Sequence, residues 1–538
     1  MSPSSRELAE QWLAQDPDPE TRAELEALLD DPAALEARFG AKLEFGTAGL
    51  RGELGAGPNR MNRVTVQRAA AGLARVLGPG KHVVIGYDAR HNSDVFARDT
   101  AEVLTGAGLS ASVLPRPLPT PVLAFAVRKL GADAGVTVTA SHNPPRDNGY
   151  KVYWNDGSQI VPPVDSQISA AIDAVGRVDE LPRGESYETL GESIVDAYLQ
   201  AVTTLPLGDA RLLKVAYTPL HGVGASVLER AFMTAGFDAP EIVEAQREPD
   251  PDFPTVAFPN PEEPGAMDLA FDLAGKIGAD LVLANDPDAD RCAVGVPLAD
   301  GGFRMLTGDE VGGLLAEHVL GNTSGDCLVA STIVSSTLLG KIAAEYGVRH
   351  AETLTGFKWL MKAGDGLVYA YEEALGYSVG SDAGLPVHDK DGISAALSVA
   401  SIAAAAKRDG RTLLDLLDDQ ARRFGLHATA QLSFRVADLS LIAGAMARLR
   451  AEPPGALGGR VVESVDDLSL GSAGLPPTDG LRYRLAGGAR VVVRPSGTEP
   501  KLKCYLEVVV AGDPREARVQ AEADLGALKV DLAGALGL

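Results

Sequence analysis

The chain has 538 residues, well beyond one hydrophobic core, and its hydrophobic content of 45% is ordinary for a soluble protein with buried interiors. A formal charge of −24 excludes nucleic acid and anionic membrane as partners, since both demand basic surface, and obliges any anionic ligand to find a local basic patch. Three cysteines without metal-ligand spacing (Cys292, Cys327, Cys504), a start lacking the basic-then-apolar order of a signal peptide, and a longest small-apolar stretch (393–406) too short to cross a bilayer point to a cytoplasmic protein without structural disulfides.

Residues 5–38 read as helical, with Leu8, Trp12, Leu25, Leu28, Leu29 and Leu35 spaced to line one side of a preface to the first domain. From Lys81 short β-branched runs alternate with longer amphipathic stretches. Strands are expected at 82–87, 111–114 and 136–139, with a helix at 94–107. The pattern recurs as a strand at 213–217, helices at 225–235 and 266–277, and a strand at 280–284. It recurs again with strands at 327–332 and 367–371 and helices at 336–346, 392–406 and 412–422. Such alternation builds mainly parallel sheets with helices on both faces. From 428 onward the character changes. A strand at 428–436, a hairpin pairing 481–485 with 489–493 across Ala486, Gly487 and Gly488, and a closing helix at 514–535 predict an antiparallel α+β unit. Pro/Gly-rich linkers near 205–209, 321–326 and 424–427 place four domains at 1–207, 208–325, 326–425 and 426–538.

Ligands of open α/β sheets collect beyond the carboxyl ends of the strands. Ser141, Asp286 and Glu372 each follow an expected strand, one per α/β domain, so the three functional edges are expected to face a common cleft. Ser141 stands in the run Thr139, Ala140, Ser141, His142, Asn143, Pro144. Its hydroxyl can carry a phosphoryl group if the charge is compensated, and His142 can exchange a proton beside it. The same residues also suit an ordinary polar turn. Asp286, Asp288 and Asp290 alternate as they would in a loop wrapping a hard cation. A calcium loop of the EF-hand type is excluded, because its sixth and twelfth positions hold Arg291 and Pro297 instead of glycine and glutamate. Three carboxylates plus one serine-borne phosphoryl oxygen suit Mg²⁺, with Arg291 placed to balance phosphate charge. The basic patch demanded by the net charge is at 494–501. There Arg494 supplies a bidentate clamp, Ser496 and Thr498 supply hydroxyls, and the turn at Gly497 supplies free N–H groups, with Lys501 and Lys503 adding positive potential.

Taken together, these motifs resemble the α-D-phosphohexomutase family, the phosphoglucomutases and phosphomannomutases. The serine run continued by Asp147, Asn148, Gly149, Tyr150 and Lys151 matches the family's phosphoserine loop, and 494–501 matches its carboxy-terminal phosphate loop. Glu372, Glu373, Ala374, Leu375, Gly376 resembles the sugar-binding loop, with Glu372 as the carboxylate that accepts from two ring hydroxyls. Residues 46–52 with 59–62 resemble the amino-terminal active-site loop, with Arg51 aimed at the phosphoserine, and 353–358 resembles the loop that touches the sugar, ending at Lys358. Lys390, Asp391, Gly392 matches a further motif, in which Lys390 contacts phosphate or shuttles a proton.

The resemblance spans roughly 40–510 and implies three α/β mixed-sheet domains plus a smaller C-terminal α+β domain around a central cleft. It implies a phosphosugar mutase interconverting hexose 1-phosphate and hexose 6-phosphate, with glucose the foremost sugar, through phosphorylated Ser141. Lys151 and Lys390 join Ser141, His142 and Arg51 as catalytic residues. Ser141, Asp286, Asp288 and Asp290 hold Mg²⁺, a sugar 1,6-bisphosphate serves as activator, and the protein works on a sugar phosphate as a monomer or homodimer. Ala374 stands where the common pattern has serine, as in the branch with phosphopentomutases and glucose 1,6-bisphosphate synthases, and this leaves the sugar open. A non-catalytic sugar-phosphate sensor and a plain phosphatase are the rivals from other classes.

Overall fold

A computed structural model describes residues 4–44, 49–436, 438–471, 474–496 and 501–537 of the chain. The amino-terminal preface is three helices, Ser5–Leu13, Pro19–Leu28 and Pro32–Phe39, where the hydrophobic spacing alone suggested one continuous helical side. The breaks have a local cause. Asp18 and Asp31 cap the next helix with their carboxylates, and each is followed by a proline at the first helical position, where its missing N–H has no cost. Trp12, Leu25 and Leu35 still converge, packing with Ala56, Val64 and Val178.

The chain forms two compact units, 1–306 with 376–380 and 385–404, and 307–375 with 381–384 and 405–538. In the first unit one sheet runs in the order Leu50–Glu53, Asp147–Trp154, Ala134–Val138, His82–Tyr87, Ser110–Val113, Glu188–Thr189. A second runs Phe303–Met305, Ala293–Pro297, Leu281–Ala284, Val215–Thr218, Glu241–Ile242. Both are mixed. Strands Ala134–Val138 and Leu281–Ala284 each pair in parallel on one side and antiparallel on the other. Their antiparallel partners, Asp147–Trp154 and Ala293–Pro297, are absent from the expected strands: the first opens on Asp147, Asn148 and Gly149, and the second is short, broken by Gly295 and closed by Pro297. Their presence positions the site. The segments 139–146 and 285–292 become tight connections between buried antiparallel strands, so their side chains are held at a sheet edge by pairing on both flanks.

In the second unit, Arg349–Thr353, Leu328–Thr332 and Leu367–Glu372 pair in parallel. Glu372 ends its strand instead of following it. The C-terminal sheet is antiparallel, in the order Leu426–Arg435, Lys501–Val510, Arg490–Pro495, Leu481–Leu485, Arg460–Asp467, Ala456–Leu457. The expected pairing of 481–485 with 489–493 is present, in the register Leu481 to Val493. The closing helix, Pro514–Leu536, covers this sheet with Leu525, Leu528 and Leu532. Three α/β sheets and an antiparallel C-terminal α+β domain are thus the observed architecture, and no helix among the described residues is long and apolar enough to cross a membrane.

Candidate active site

Strand Ala134–Val138 is wholly buried and delivers the chain into the turn at Ser141. Ser141 itself has φ +52°, a left-handed conformation that costs a non-glycine residue free energy unless its surroundings fix it. They do so here. Its N–H donates to Thr139 Oγ1 at 2.8 Å, and its Oγ donates to Asp286 Oδ2 at 2.6 Å. Ser141 is only 1% exposed. His142 Nδ1 lies 3.2 Å from the same Oγ and 3.8 Å from Asp286 Oδ2. Burial, with Arg291 and Arg51 nearby, pushes the imidazole well below its usual range and favours the neutral ring.

The three aspartates gather as the alternate spacing requires. Their carboxylate oxygens lie within 4.8 Å of one another and all are buried. Lys151, on the strand Asp147–Trp154, is buried rather than lying on a solvated strand edge. Its ammonium reaches Asp288 Oδ2 at 2.9 Å and Asp290 Oδ2 at 3.2 Å. Lys390 Nζ is 3.3 Å from Asp290 Oδ2 and 3.6 Å from Asp389 Oδ1. Arg291 Nε lies 3.9 Å from Asp286 and 3.8 Å from Asp290. Burial and its two anionic neighbours push Asp286 well above the carboxylate range. Burial also works against Asp288, but the Lys151 ammonium outweighs it and holds that carboxyl below its usual range.

Two buried oxygens of this cluster, Asp288 Oδ1 and Asp290 Oδ1, have no hydrogen-bond donor among the described residues. Buried acceptors left bare are costly, and two bare carboxylate oxygens beside the Ser141–Asp286 pair form an all-oxygen donor set that fits a hard divalent cation. The loop is also packed from behind. A Cβ on Gly222 would meet Pro287 Cα at 2.3 Å, and one on Gly392 would meet Arg291 O at 2.2 Å.

Arg51, on strand Leu50–Glu53, donates to Asn143 Oδ1 at 3.2 Å and so touches the serine loop through its side chain. Residues 46–48 of the same motif lie outside the described residues. Motif reading missed three participants. Thr120 Oγ1 donates to Asp288 Oδ2 at 2.8 Å, Tyr153 O–H donates to Asp389 Oδ2 at 2.6 Å, and Arg90 binds the backbone of the serine loop. Asp389 was open to notice as the acidic neighbour of Lys390, whereas a lone threonine or tyrosine carries no comparable signal.

The remaining expected residues lie in the second unit. Lys358 sits on the short helix Phe357–Leu360, buried, with Nζ 5.9 Å from the centre of the Trp359 ring. Next to Glu372, Glu373 Oε2 accepts from Ser335 Oγ at 3.0 Å and Thr332 Oγ1 at 3.3 Å. Burial, then the charges of Glu372 and Asp309, raise the Glu373 carboxyl to about 7. Arg494 is the penultimate residue of the strand Arg490–Pro495, and the Ser496 N–H donates to Lys501 O at 2.8 Å. Gly497 and Thr498 lie outside the described residues.

The strand carrying Arg494 is fastened at its other end. Glu507, 2% exposed, accepts at Oε1 from Ser336 Oγ at 2.6 Å, Thr337 N–H at 2.9 Å and His427 Nδ1 at 3.0 Å. Its Oε2 faces Arg490 at 3.1 Å, and Arg490 also donates to the carbonyls of Ile333 and Ser335.

The sequence matches the four domain profiles described for phosphoglucomutase/phosphomannomutase: α/β/α domain I over 42–178, domain II over 196–298, domain III over 307–424 and the C-terminal domain over 434–525. A "Probable phosphomannomutase" of Haemophilus influenzae is 47% identical over 477 residues, covering 87% of this chain and 96% of that protein. A phosphopentomutase of Mus musculus is 34% identical, covering 96% and 93%. Other relatives are named phosphoglucomutase and glucose 1,6-bisphosphate synthase. Among solved structures, a phosphoglucomutase/phosphomannomutase family protein from Burkholderia thailandensis shares the fold with TM-score 0.68 at 22% identity, over 91% of this chain and 97% of that one. The chain belongs to the phosphoglucomutase/phosphomannomutase family, the α-D-phosphohexomutases, and is a phosphomutase.

Proposed function

We propose that this isomerase interconverts hexose 1-phosphate and hexose 6-phosphate, with glucose the foremost sugar, by passing a phosphoryl group through Ser141. The observation that carries the reading is the Ser141 hydroxyl, buried and 2.6 Å from Asp286 in a cluster of three aspartates and Lys151. In the first half-reaction a sugar hydroxyl oxygen bonds to the Ser141-borne phosphorus, the bond to Oγ breaks, and the proton lost by the sugar leaves Oγ protonated. His142, 3.2 Å from Oγ, is assigned the proton exchange there. The bisphosphorylated sugar then turns end for end and returns its other phosphate to Ser141. Lys151 and Lys390 supply positive charge around the aspartates, and Arg51 holds the loop through Asn143.

Asp286, Asp288, Asp290 and Ser141 would hold Mg²⁺, which when bound neutralises the phosphoryl oxygens. Glu372 and Lys358 are assigned to the sugar, and Arg494, Ser496, Gly497 and Thr498 to the phosphate that does not react. Arg291 is assigned to phosphate charge balance. A sugar 1,6-bisphosphate primes Ser141. Burial of Ser141 excludes water, which protects a phosphoserine from hydrolysis.

Ala374 favours a second reading, because it removes a hydroxyl from the sugar loop, and a relative named phosphopentomutase matches over 96% of this chain. Turnover of glucose 1-phosphate, mannose 1-phosphate and ribose 1-phosphate, primed with the matching bisphosphate, ranks the sugars. The mutase reading is refuted if Ser141→Ala keeps full isomerase activity, or if intact mass never shows one added phosphoryl group on the wild type. Steady release of inorganic phosphate would identify a phosphatase instead.

A further inference from the structure

Strands His82–Tyr87 and Ala134–Val138 lie side by side in parallel, pairing Tyr87 with Val138, so the segments that follow them emerge together. The first carries Asp88, Ala89 and Arg90. The second carries the Ser141 turn. Arg90 crosses between them. One terminal nitrogen donates to Ser141 O and to Asn143 O, each at 2.6 Å. The other donates to Pro144 O at 2.8 Å and Asp147 O at 3.1 Å. Four main-chain carbonyls of one seven-residue loop therefore converge on a single guanidinium.

The cation is itself held rigidly. Its Nε lies 3.5 Å from Asp88 Oδ2, with both side chains 1% exposed, and its carbon stands 4.9 Å over the Phe253 ring. Asp88 is fixed in turn by Ser93 Oγ at 2.7 Å and the Arg90 N–H at 3.0 Å. Burying a charged pair is expensive, and an ordinary turn at a sheet edge can leave its carbonyls to water. What this arrangement adds is a fixed backbone path for residues 141–147, including the left-handed Ser141. That path determines where Oγ stands relative to Asp286.

We infer that Arg90 is a positioning residue of phosphoryl transfer, its planar fork fixing the loop so that the Ser141 oxygen meets Asp286 and the incoming sugar. The inference rests on the reading that Ser141 carries the phosphoryl group. Arg90 touches neither the reacting oxygen nor the aspartate cluster; it acts through the backbone. A lysine keeps the charge but has no fork, so Arg90→Lys lets the loop drift by a fraction of an ångström to an ångström. Misplacement of that size costs about 100-fold in rate.

The test uses the full-length protein with Mg²⁺, primed by glucose 1,6-bisphosphate. Arg90→Lys, shown to be folded by circular dichroism, should lose about 100-fold in kcat while KM for the sugar phosphate stays within about threefold. A folded Arg90→Lys with kcat within about threefold of wild type overturns the inference, as does activity that recovers fully once the variant is cooled below its melting range. Should Arg90→Lys fail to fold, Asp88→Asn takes its place, with about a tenfold kcat loss expected and an unchanged kcat counting against the idea. On the wild type, hydrogen exchange should find the 141–147 amides that are hydrogen-bonded protected to the level of strand Ala134–Val138, and free exchange there refutes a fixed loop. Intact mass reports separately whether Ser141 is phosphorylated, so failure of the phosphoserine reading is distinguishable from failure of the Arg90 assignment.

Discussion

Acid should loosen the fastening between the C-terminal sheet and residues 333–337, and Glu507 sets the pH at which it does. Burial alone would raise this carboxyl. The His427 hydrogen bond, the Arg490 charge and the Ser336 hydroxyl outweigh burial and bring it to about 2, from an ordinary 4.5. A carboxyl depressed in the folded state contributes stability that is present above its unfolded value and is lost as pH falls toward the folded value. The gap corresponds to about 3 kcal/mol, of which about 2 kcal/mol is gone by pH 3, or roughly 30-fold in local protection. Asp309 works the other way, because burial and the Glu507 charge raise its carboxyl and its protonation favours the fold. Comparing wild type with Glu507→Gln isolates the Glu507 contribution. The assay is hydrogen exchange of the Thr337 amide, which donates directly to Glu507, corrected for intrinsic exchange at each pH. Wild-type protection should fall about 30-fold from pH 7 to pH 3, and the Gln variant should start lower and change little. Equal pH dependence in the two proteins would refute the argument.

Three further outcomes follow from the sites described. Gly222→Ala drives a Cβ into the Pro287 backbone, so the aspartate loop must shift; Mg²⁺ titration followed by calorimetry should show weaker binding with the overall fold kept, and unchanged affinity would contradict the packing argument. Glu373→Gln removes a carboxyl raised from 4.5 to about 7, whose stabilising proton is lost as pH rises from the unfolded value through the folded one, so the melting temperature should increase at pH 8 and hardly change below the unfolded value, near pH ~4. Removing divalent metal with a chelator should abolish mutase turnover and lower the melting temperature, with both restored by Mg²⁺; full activity after exhaustive chelation would exclude the assigned aspartate role.

Much of this was legible in the sequence, for identifiable reasons. Asp286, Asp288 and Asp290 announce themselves because alternate spacing is short-range, and three carboxylates on one short loop gather without help from distant sequence. Hydrophobic runs such as 82–87 and 281–284 are strands because both faces are buried. The antiparallel strands Asp147–Trp154 and Ala293–Pro297 were not legible, since their pairing depends on neighbours formed elsewhere rather than on their own alternation. Arg90 stayed hidden for a related reason. Its partners are carbonyls some 50 residues away, and a carbonyl is the same for every residue type. The preface misled because proline at a first helical turn both ends one reading frame of hydrophobic spacing and starts another.

That every Arg90 hydrogen bond to the serine loop ends on main chain has a consequence for substitution. The guanidinium reads the course of the loop without reading its side chains, so residue 141 can be exchanged chemically without the loop losing its shape. For its backbone, position 141 needs a residue that tolerates φ +52°, and aspartate and asparagine do so better than most. Ser141→Asn would therefore keep an N–H donor to face Asp286 where the hydroxyl donated, on the same backbone path. In a chain whose loop path is set from outside, the side chain at its tip becomes a replaceable part.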